Sequence, residues 1–244
     1  MKKSLVFLLA LVMVFAFATS AFAVEYSDIG DQSQLVQDAI YKLSALGIVQ
    51  GYEDGTWQPD ANITRAEFAQ IACLAGGYGD SYASLTNTAS PFSDVKVGVW
   101  YTGWINLAYS AGYIQGDGNG LFRPNDNITE NEVITVLVRL LNYNDNLTGT
   151  WPVNYVRQAG VLGLLDDVSL TGSAAAKRSL VAVLTSEVLD EDMVVWSKDT
   201  ESFKPDENKS TLLAESFSGT TADAYVAQAA EGEDTVTAGW QYSN

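Results

Sequence analysis

The residue with the most evident chemistry in this sequence is an arginine at a predicted helix start. Residues 63–67 read Ile-Thr-Arg-Ala-Glu, and Thr64 with Glu67 three residues later predicts a capping box. A cation is disfavoured in the first helical turn by the positive end of the helix dipole, so the position of Arg65 needs a reason. A guanidinium and free backbone N–H groups at a helix start can together bind a carboxylate or phosphate. The alternative is an ion pair between Arg65 and a nearby Asp or Glu.

The elements that position Arg65 belong to a unit that occurs twice, 65 residues apart. In both copies a glycine lies 17 positions before the threonine of the capping box: Gly47 before Thr64, and Gly112 before Thr129. Each copy has an apolar helical pattern, a loop rich in Gly, Asp, Asn and Pro, and a second helix start. The glycines suit the left-handed position that closes a helix. The sequence therefore predicts repeated helix–loop–helix units.

A third copy is recognisable but altered. It keeps the seven-residue spacing from an aliphatic residue, Val156, to a glycine, Gly163, and its shorter loop brings Lys177 and Arg178 only 14 and 15 residues after that glycine. A helix pair of this size cannot bury its apolar face alone, so neighbouring units must share a core. Three units predict one all-α domain of about 165 residues, near the usual domain size.

These units resemble the S-layer homology family, whose modules usually come in threes near one end of a secreted bacterial surface protein. The resemblance covers roughly residues 26 to 190 and implies a pseudo-threefold helical bundle with grooves between units, here 24–80, 81–145 and 146–190. In the family, the arginine of this motif contacts the anionic, typically pyruvylated, sugar of a cell-wall polysaccharide. Arg65 is therefore the first candidate, and no cofactor or metal is implied.

The other candidates have a structural reading beside the functional one. Thr64 and Glu67 are also explained by capping alone. Trp100 and Trp151 each lie five residues before an aliphatic helix residue, and each could belong to the core, stack on a sugar, or do both. The acidic residues that open the first two units could simply cap a helix or stabilise a turn. The loop glycines could be required only by the turns. The candidate glycan-binding residues are Arg65, Thr64, Glu67, Asp28, Gly51, Asp94, Trp100, Gly116, Trp151 and Arg178.

The departures from the motif limit the number of sites. The second unit has Glu130 in place of the arginine, and the third keeps Arg178 but has Lys177 in place of the capping threonine. We therefore expect one good site around Arg65 and at most one weaker site near Arg178.

The N-terminus predicts export. Lys2 and Lys3 precede an apolar run over residues 5–17, and small residues at 21–23 predict a signal peptide, 1–23, cleaved before Val24. The alternative, an uncleaved membrane anchor, needs a span of about 20 residues. Loss of the two lysines takes the net charge from −17 to −19, which argues against nucleic acid and anionic lipid as partners.

Other chemistries have weaker support. The chain lacks histidine, which removes most zinc sites and the Ser-His-Asp arrangement. The strings at 117–120 and 125–127 suit turns better than calcium, because neither follows the twelve-residue calcium-loop spacing. Cys73, the single cysteine, lies in an apolar pattern and reads as a buried hydrophobe rather than a reactive thiol. A glycoside hydrolase needs only two carboxylates, but the three units occupy most of the chain, so we expect no enzyme.

The C-terminal segment, residues 191–244, differs in character. It is acidic, and its residues 193–196 and 235–240 are predicted to form short strands. The segment could begin a larger region, form a linker, or fold as a small β element against the bundle.

The favoured function is non-covalent anchoring of a surface-layer protein to a cell-wall polysaccharide attached to peptidoglycan. The alternative is a structural assembly protein that self-associates in a surface lattice and binds little glycan.

Overall fold

The computed structural model describes residues 25–217, together with the backbone of 223–225 and 239–241. The predicted signal peptide lies outside the described residues. Within the part that is described, no helix combines the length and the apolar character needed to cross a bilayer. The helices are α1 (Gln34–Ala45), α2 (Arg65–Ala75), a 3-10 helix (Gly79–Leu85), α3 (Thr102–Ser110), α4 (Glu130–Leu140), α5 (Val153–Val161), α6 (Arg178–Leu189) and α7 (Leu212–Ser216).

Both predicted capping boxes are present. At the start of α2 the Glu67 carboxylate accepts from the Thr64 backbone N–H at 2.7 Å, and at the start of α4 the Glu132 carboxylate accepts from the Thr129 N–H at 2.9 Å. Each pairing satisfies backbone donors that a helix leaves free at its start. In the third unit α6 begins after Lys177 without a side-chain cap.

The first helix of each unit ends as its sequence predicts. The glycine after the helix has a positive φ in all three units: 71° at Gly47, 79° at Gly112 and 79° at Gly163. This left-handed conformation is strained for residues with a Cβ and common at helix ends. The shared geometry shows that the altered third copy folds like the other two.

The three units close into a ring. Helix α3 packs on α2, α5 on α4 and α1 on α6, so each unit's first helix contacts the preceding unit's second helix. At the centre the Ile63 N–H donates to the Ala176 carbonyl at 3.2 Å, the Ala176 N–H to the Ile128 carbonyl at 2.9 Å, and the Ile128 N–H to the Ile63 carbonyl at 3.0 Å. This cycle of hydrogen bonds confirms the predicted all-α, pseudo-threefold arrangement.

Residues 191–217 of the C-terminal segment pack against the bundle. Strands β1 (Val194–Ser197) and β2 (Ser202–Pro205) form an antiparallel hairpin, and Phe203 packs on Tyr143 of the bundle at 4.8 Å between ring centroids. The strand predicted at 193–196 is thus confirmed as β1. A second antiparallel pair joins β3 (Asp223–Tyr225) to β4 (Gly239–Gln241); β4 covers the end of the other predicted strand, whose residues 235–238 lie outside the described residues.

Candidate functional site

Two grooves lie between neighbouring units. Groove A, of about 360 Å³, lies between α2 of unit 1 and the loop and second helix of unit 2; groove B, of about 260 Å³, lies between α6 of unit 3 and the loop and second helix of unit 1. Groove A is defined by Arg65, Phe122, Glu132, Thr135, Arg139 and Trp151. Groove B is defined by Gln50, Tyr52, Trp57, Glu67, Gln70 and Arg178.

Arg65 lies on the wall of groove A and is almost fully buried, with 6% of its surface exposed. Its Nε donates to the Phe122 carbonyl at 2.7 Å, and its guanidinium lies over the Phe122 ring at 4.9 Å. Nη1 forms an ion pair with the Glu132 carboxylate. The alternative raised by the sequence, an ion pair with a nearby acidic residue, is therefore present.

The Glu132 carboxylate is held in its charged form. Burial raises its pKa, but the hydrogen bonds from Thr129 and the nearby Arg65 guanidinium outweigh burial, so the pKa of Glu132 falls below its ordinary value. Arg139, a second cation of this groove, contacts the Asp145 carboxylate at 3.1 Å. Groove A thus neutralises much of its own positive charge.

Arg178 has the same geometry in groove B without the ion pair. Its Nε donates to the Trp57 carbonyl at 2.9 Å and Nη2 to the Gln50 carbonyl at 3.2 Å. Its guanidinium lies 4.5 Å from the Trp57 ring and 5.0 Å from the Tyr52 ring. Among the described residues no carboxylate oxygen comes within 4.0 Å of its nitrogens. Glu67, the counterpart of Glu132, lines groove B but does not pair with Arg178.

The same helix position in unit 2 completes a pattern. The Glu130 carboxylate accepts from the backbone N–H groups of Thr171 and Gly172 in the loop of unit 3, both at 2.6 Å. The three residues at this position therefore all form hydrogen bonds with the loop backbone of a neighbouring unit: Arg65, Glu130 and Arg178. Sequence reasoning missed this role, because the partners are loop backbone atoms of another repeat.

The backbone N–H groups at the helix starts are occupied. The Arg65 N–H donates to the Asp126 carbonyl at 2.9 Å and the Ala66 N–H to the Pro124 carbonyl at 3.0 Å, while the Glu67 N–H donates to Thr64 Oγ1 at 3.2 Å. They are not free donors, so the prediction that they bind a ligand beside Arg65 does not hold. Beside Arg65, these three N–H groups already have acceptors within the protein.

Asp28 and Asp94 hold the loops of their units. The Asp28 carboxylate accepts from the N–H groups of Trp57 and Gln58, both at 2.7 Å. Asp94 accepts from the matching pair, Phe122 at 2.9 Å and Arg123 at 2.7 Å. With both oxygens engaged, these carboxylates position the aromatic residues beneath the arginines, and neither lines a groove.

The two candidate glycines are places of close packing. A Cβ on Gly51 would lie 2.2 Å from a Tyr26 ring carbon, and one on Gly116 would lie 2.4 Å from a Phe92 ring carbon. Gly116 also lines groove A, whereas Gly51 does not line groove B.

The two candidate tryptophans are both exposed, but they differ in setting. Trp151 is 55% exposed, lines groove A and donates from Nε1 to Thr135 Oγ1 at 2.9 Å. Trp100 is 52% exposed and lines neither groove. The sequence did not identify the groove aromatics Tyr52 and Trp57, whose only signal was their position in a turn-rich loop.

The acidic loop residues and the single cysteine have structural roles in the fold. Within the described residues no group of three or more Cys, Asp or Glu side chains could hold a metal ion. Asp117 accepts from the N–H groups of Asn119 and Leu121 at 2.8 and 3.2 Å, which is turn chemistry. Cys73 is fully buried, as predicted, and burial raises the pKa of its thiol to about 12.

Comparison with known proteins identifies the repeats. Residues 25–69 and 91–134 match the S-layer homology domain; both matches fall in the first two units. The chain therefore contains two S-layer homology domains, and the third unit shares with them the ring and the helix-closing glycine.

Two relatives of the chain are named as cell wall or cell surface proteins. It is 29% identical over 233 residues to the middle cell wall protein of Brevibacillus brevis, covering 94% of this chain and 22% of that protein. It is 32% identical over 199 residues to a cell surface protein of Thermoanaerobacter kivui, covering 80% of this chain and 26% of that protein. The chain thus spans about a quarter or less of either relative. Together with the domain match, these relatives indicate a secreted protein of the bacterial cell surface, as the sequence predicted.

An enzyme is also similar to part of this chain. The exoglucanase XynX of Acetivibrio thermocellus is 34% identical over 160 residues, which cover 59% of this chain and 14% of that protein. The shared part is a small fraction of the enzyme. These findings together support a role in cell-surface anchoring.

Proposed function

We propose that this chain anchors a surface protein non-covalently by binding an acidic cell-wall polysaccharide, with groove B as its main site. The observation that carries the proposal is the Arg178 guanidinium, which lies in a groove with an aromatic wall and has no carboxylate partner among the described residues. A guanidinium of this kind is well matched to a carboxylate, such as that of a pyruvyl group. The domain match and the names of the relatives support a wall polymer as the ligand.

The ion pairs of the arginines, rather than the net charge of the lining residues, favour groove B over groove A. Of the arginines that line groove A, Arg65 pairs with Glu132 and Arg139 with Asp145, and Arg123 lies 3.7 and 3.9 Å from two aspartates. A glycan carboxylate would have to displace a protein carboxylate there. In groove B it would meet an arginine that has already lost most of its hydration, because only 9% of the Arg178 surface is exposed.

Groove B also offers the contacts that a sugar ring requires. Tyr52 is 42% exposed beside Arg178, so its face can pack against sugar C–H groups. The amides of Gln50 and Gln70 line the same groove and can bond to hydroxyl groups. Groove A, with its compensated charges and the exposed Trp151, is better suited to a neutral sugar.

Co-sedimentation with purified cell walls tests the proposal, with walls stripped of polysaccharide as the reference. We expect binding that disappears on stripping and that Arg178→Gln weakens about 10- to 150-fold, the worth of one charge-assisted hydrogen bond of about 1.5–3 kcal/mol. Lys177→Gln is the matched control, because it removes one positive charge from the residue next to Arg178. Lys177 forms an exposed ion pair with Asp60, and the variant should bind like the wild type.

Because Arg178 also fastens a loop, a second variant separates binding from folding. Tyr52→Ala removes a half-exposed side chain from the groove and should weaken binding without lowering the melting temperature by more than about 2 °C. Wild-type wall binding by both Arg178→Gln and Tyr52→Ala would move the site to groove A. Absence of wall binding by the wild-type chain would favour the alternative function, lateral assembly.

A further inference from the structure

A third cavity lies outside the two grooves, where the β1–β2 hairpin meets unit 3. This hairpin cavity has a volume of about 300 Å³ and shares no residue with groove A or groove B. It is lined by the α4–α5 loop, by α5 and by the hairpin, and is defined by Tyr143, Thr148, Arg157, Gln158, Trp196 and Phe203. Its size is at the lower end of small-molecule sites, which span about 300–1,000 Å³.

One side of the hairpin cavity is aromatic. Phe203 contacts both Tyr143 and Trp196, with 4.8 Å between ring centroids in each case. Tyr143 is buried and Trp196 is half-buried. Phe203 therefore fixes the position of Trp196 and leaves part of its indole surface facing the cavity.

The other side of the cavity is polar, and its charges balance. Arg157 is exposed and donates from Nη2 to the Thr148 carbonyl. Glu201 also lines the cavity, but no ion pair joins it to Arg157 among the described residues. Gln158 and Ser202 add an amide and a hydroxyl. One positive and one negative group with neutral donors and acceptors suit a ligand rich in hydroxyl groups and without net charge.

We propose that the hairpin cavity is a separate saccharide subsite that takes one neutral sugar residue of the wall polymer, stacked on Trp196 and hydrogen-bonded by Arg157 and Gln158. This inference rests on the proposed function for the identity of the polymer. The two proposed sites recognise different parts of the polymer: groove B binds the acidic substituent through Arg178, and the hairpin cavity binds a neutral sugar ring. The chain then holds the polymer at two places.

One titration separates the two sites. The full chain, with ¹⁵N-labelled tryptophan, is titrated with purified wall polysaccharide and with the same polymer after its carboxyl groups are reduced. The indole N–H signals of Trp196 and Trp57 report on the hairpin cavity and groove B, and Trp→Phe variants assign them. We expect both signals to shift with the native polymer, and only Trp196 to shift with the reduced polymer. The Trp196 shift should persist in Arg178→Gln and be lost in Arg157→Ala.

Affinity gives a second readout. Trp196→Ala should weaken binding of the native polymer roughly 2- to 10-fold, the worth of one aromatic contact. The matched control is Val195→Ala, since Val195 is 48% exposed, precedes Trp196 on the strand and does not line the cavity; it should leave affinity unchanged.

Each outcome of the titration decides between the sites. A shift of Trp57 without any shift of Trp196 would overturn the hairpin subsite and leave the proposed function intact. A shift of Trp196 alone with the native polymer would support the subsite and overturn groove B as the main site. Absence of both shifts at saturating polymer would overturn both proposals.

Discussion

Replacing Glu132 by glutamine tests whether the ion pair with Arg65 keeps groove A from binding an anion. Glutamine can keep the capping role at this position, so the change removes chiefly the charge that faces Arg65. A hydrogen bond between charged groups contributes about 1.5–3 kcal/mol. Because the Glu132 side chain is 23% exposed, we expect a loss near the lower end, about 1.5–2 kcal/mol. In a domain of this size that corresponds to a fall in melting temperature of roughly 3–8 °C.

The matched control is Glu67→Gln. Glu67 holds the same place in the capping box of unit 1 but has no ion pair with Arg178, so its replacement should cost less than about 0.5 kcal/mol. The difference between the two variants, measured by thermal or urea unfolding, isolates the contribution of the Arg65 pair. Equal losses in both variants would show that the charge of the capping carboxylate at the helix start, and not the ion pair, accounts for the stability.

The same variant has a binding consequence in a chain whose groove B is disabled. In an Arg178→Gln background, Glu132→Gln leaves the Arg65 guanidinium without its carboxylate, and binding of the acidic polymer should rise about tenfold by titration calorimetry. The reasoning would be refuted if the double variant bound no better than Arg178→Gln alone while it had lost the expected stability.

The contribution of Glu132 to the free energy of unfolding is also predicted to depend on pH. Because the pKa of Glu132 is lowered in the folded chain from its ordinary 4.5, its contribution is fully present above about pH 4.5 and is lost as the pH falls through the folded value. The stability difference between wild type and Glu132→Gln should therefore be constant at neutral pH and shrink in acid. A difference that grew on acidification would contradict this sign.

Three further predictions follow from packing and burial. Gly51→Ala should destabilise the chain by about 1–3 kcal/mol in urea unfolding, since its Cβ would meet the Tyr26 ring, whereas Gly47→Ala, with open space around the new Cβ and a φ of 71°, should cost about 1 kcal/mol. Asp28→Ala should cost about 2 kcal/mol or more, because two loop N–H groups lose their acceptor; a neutral result would remove its role in holding the loop. Cys73 should resist thiol reagents at pH 8 until the chain unfolds, because burial raises its pKa to about 12, and rapid labelling of the native chain would contradict its burial.

The local features of the fold were predictable because their causes lie within a few residues. Thr64 and Glu67 form a capping box through a three-residue spacing, and Gly47 and Gly112 close helices through their own backbone freedom. The repeat then predicted a shared core, since helix pairs of this size need neighbours to cover their apolar faces, and the resemblance to the S-layer homology family implied the pseudo-threefold arrangement.

The chemistry of the arginines was not predictable because their partners come from other units. Arg65 and Arg178 occupy equivalent helix positions with equivalent bonds to a loop carbonyl, and the helix-dipole argument applies to both. What distinguishes them is the side-chain position of one glutamate in each groove, Glu132 or Glu67. From the sequence, Arg65 ranks first because its motif is complete, whereas our proposal places Arg178 first because it has no ion pair among the described residues.

The measurement that tests the central claim most directly is the affinity of the full chain for purified wall polysaccharide before and after chemical reduction of its carboxyl groups. If Arg178 recognises an acidic substituent in groove B, reduction should weaken binding at least tenfold, and Arg178→Gln should bind the two polymers with nearly equal, low affinity. Equal binding of native and reduced polymer by the wild-type chain would contradict the claim, since the ligand's charge would then play no part in its recognition.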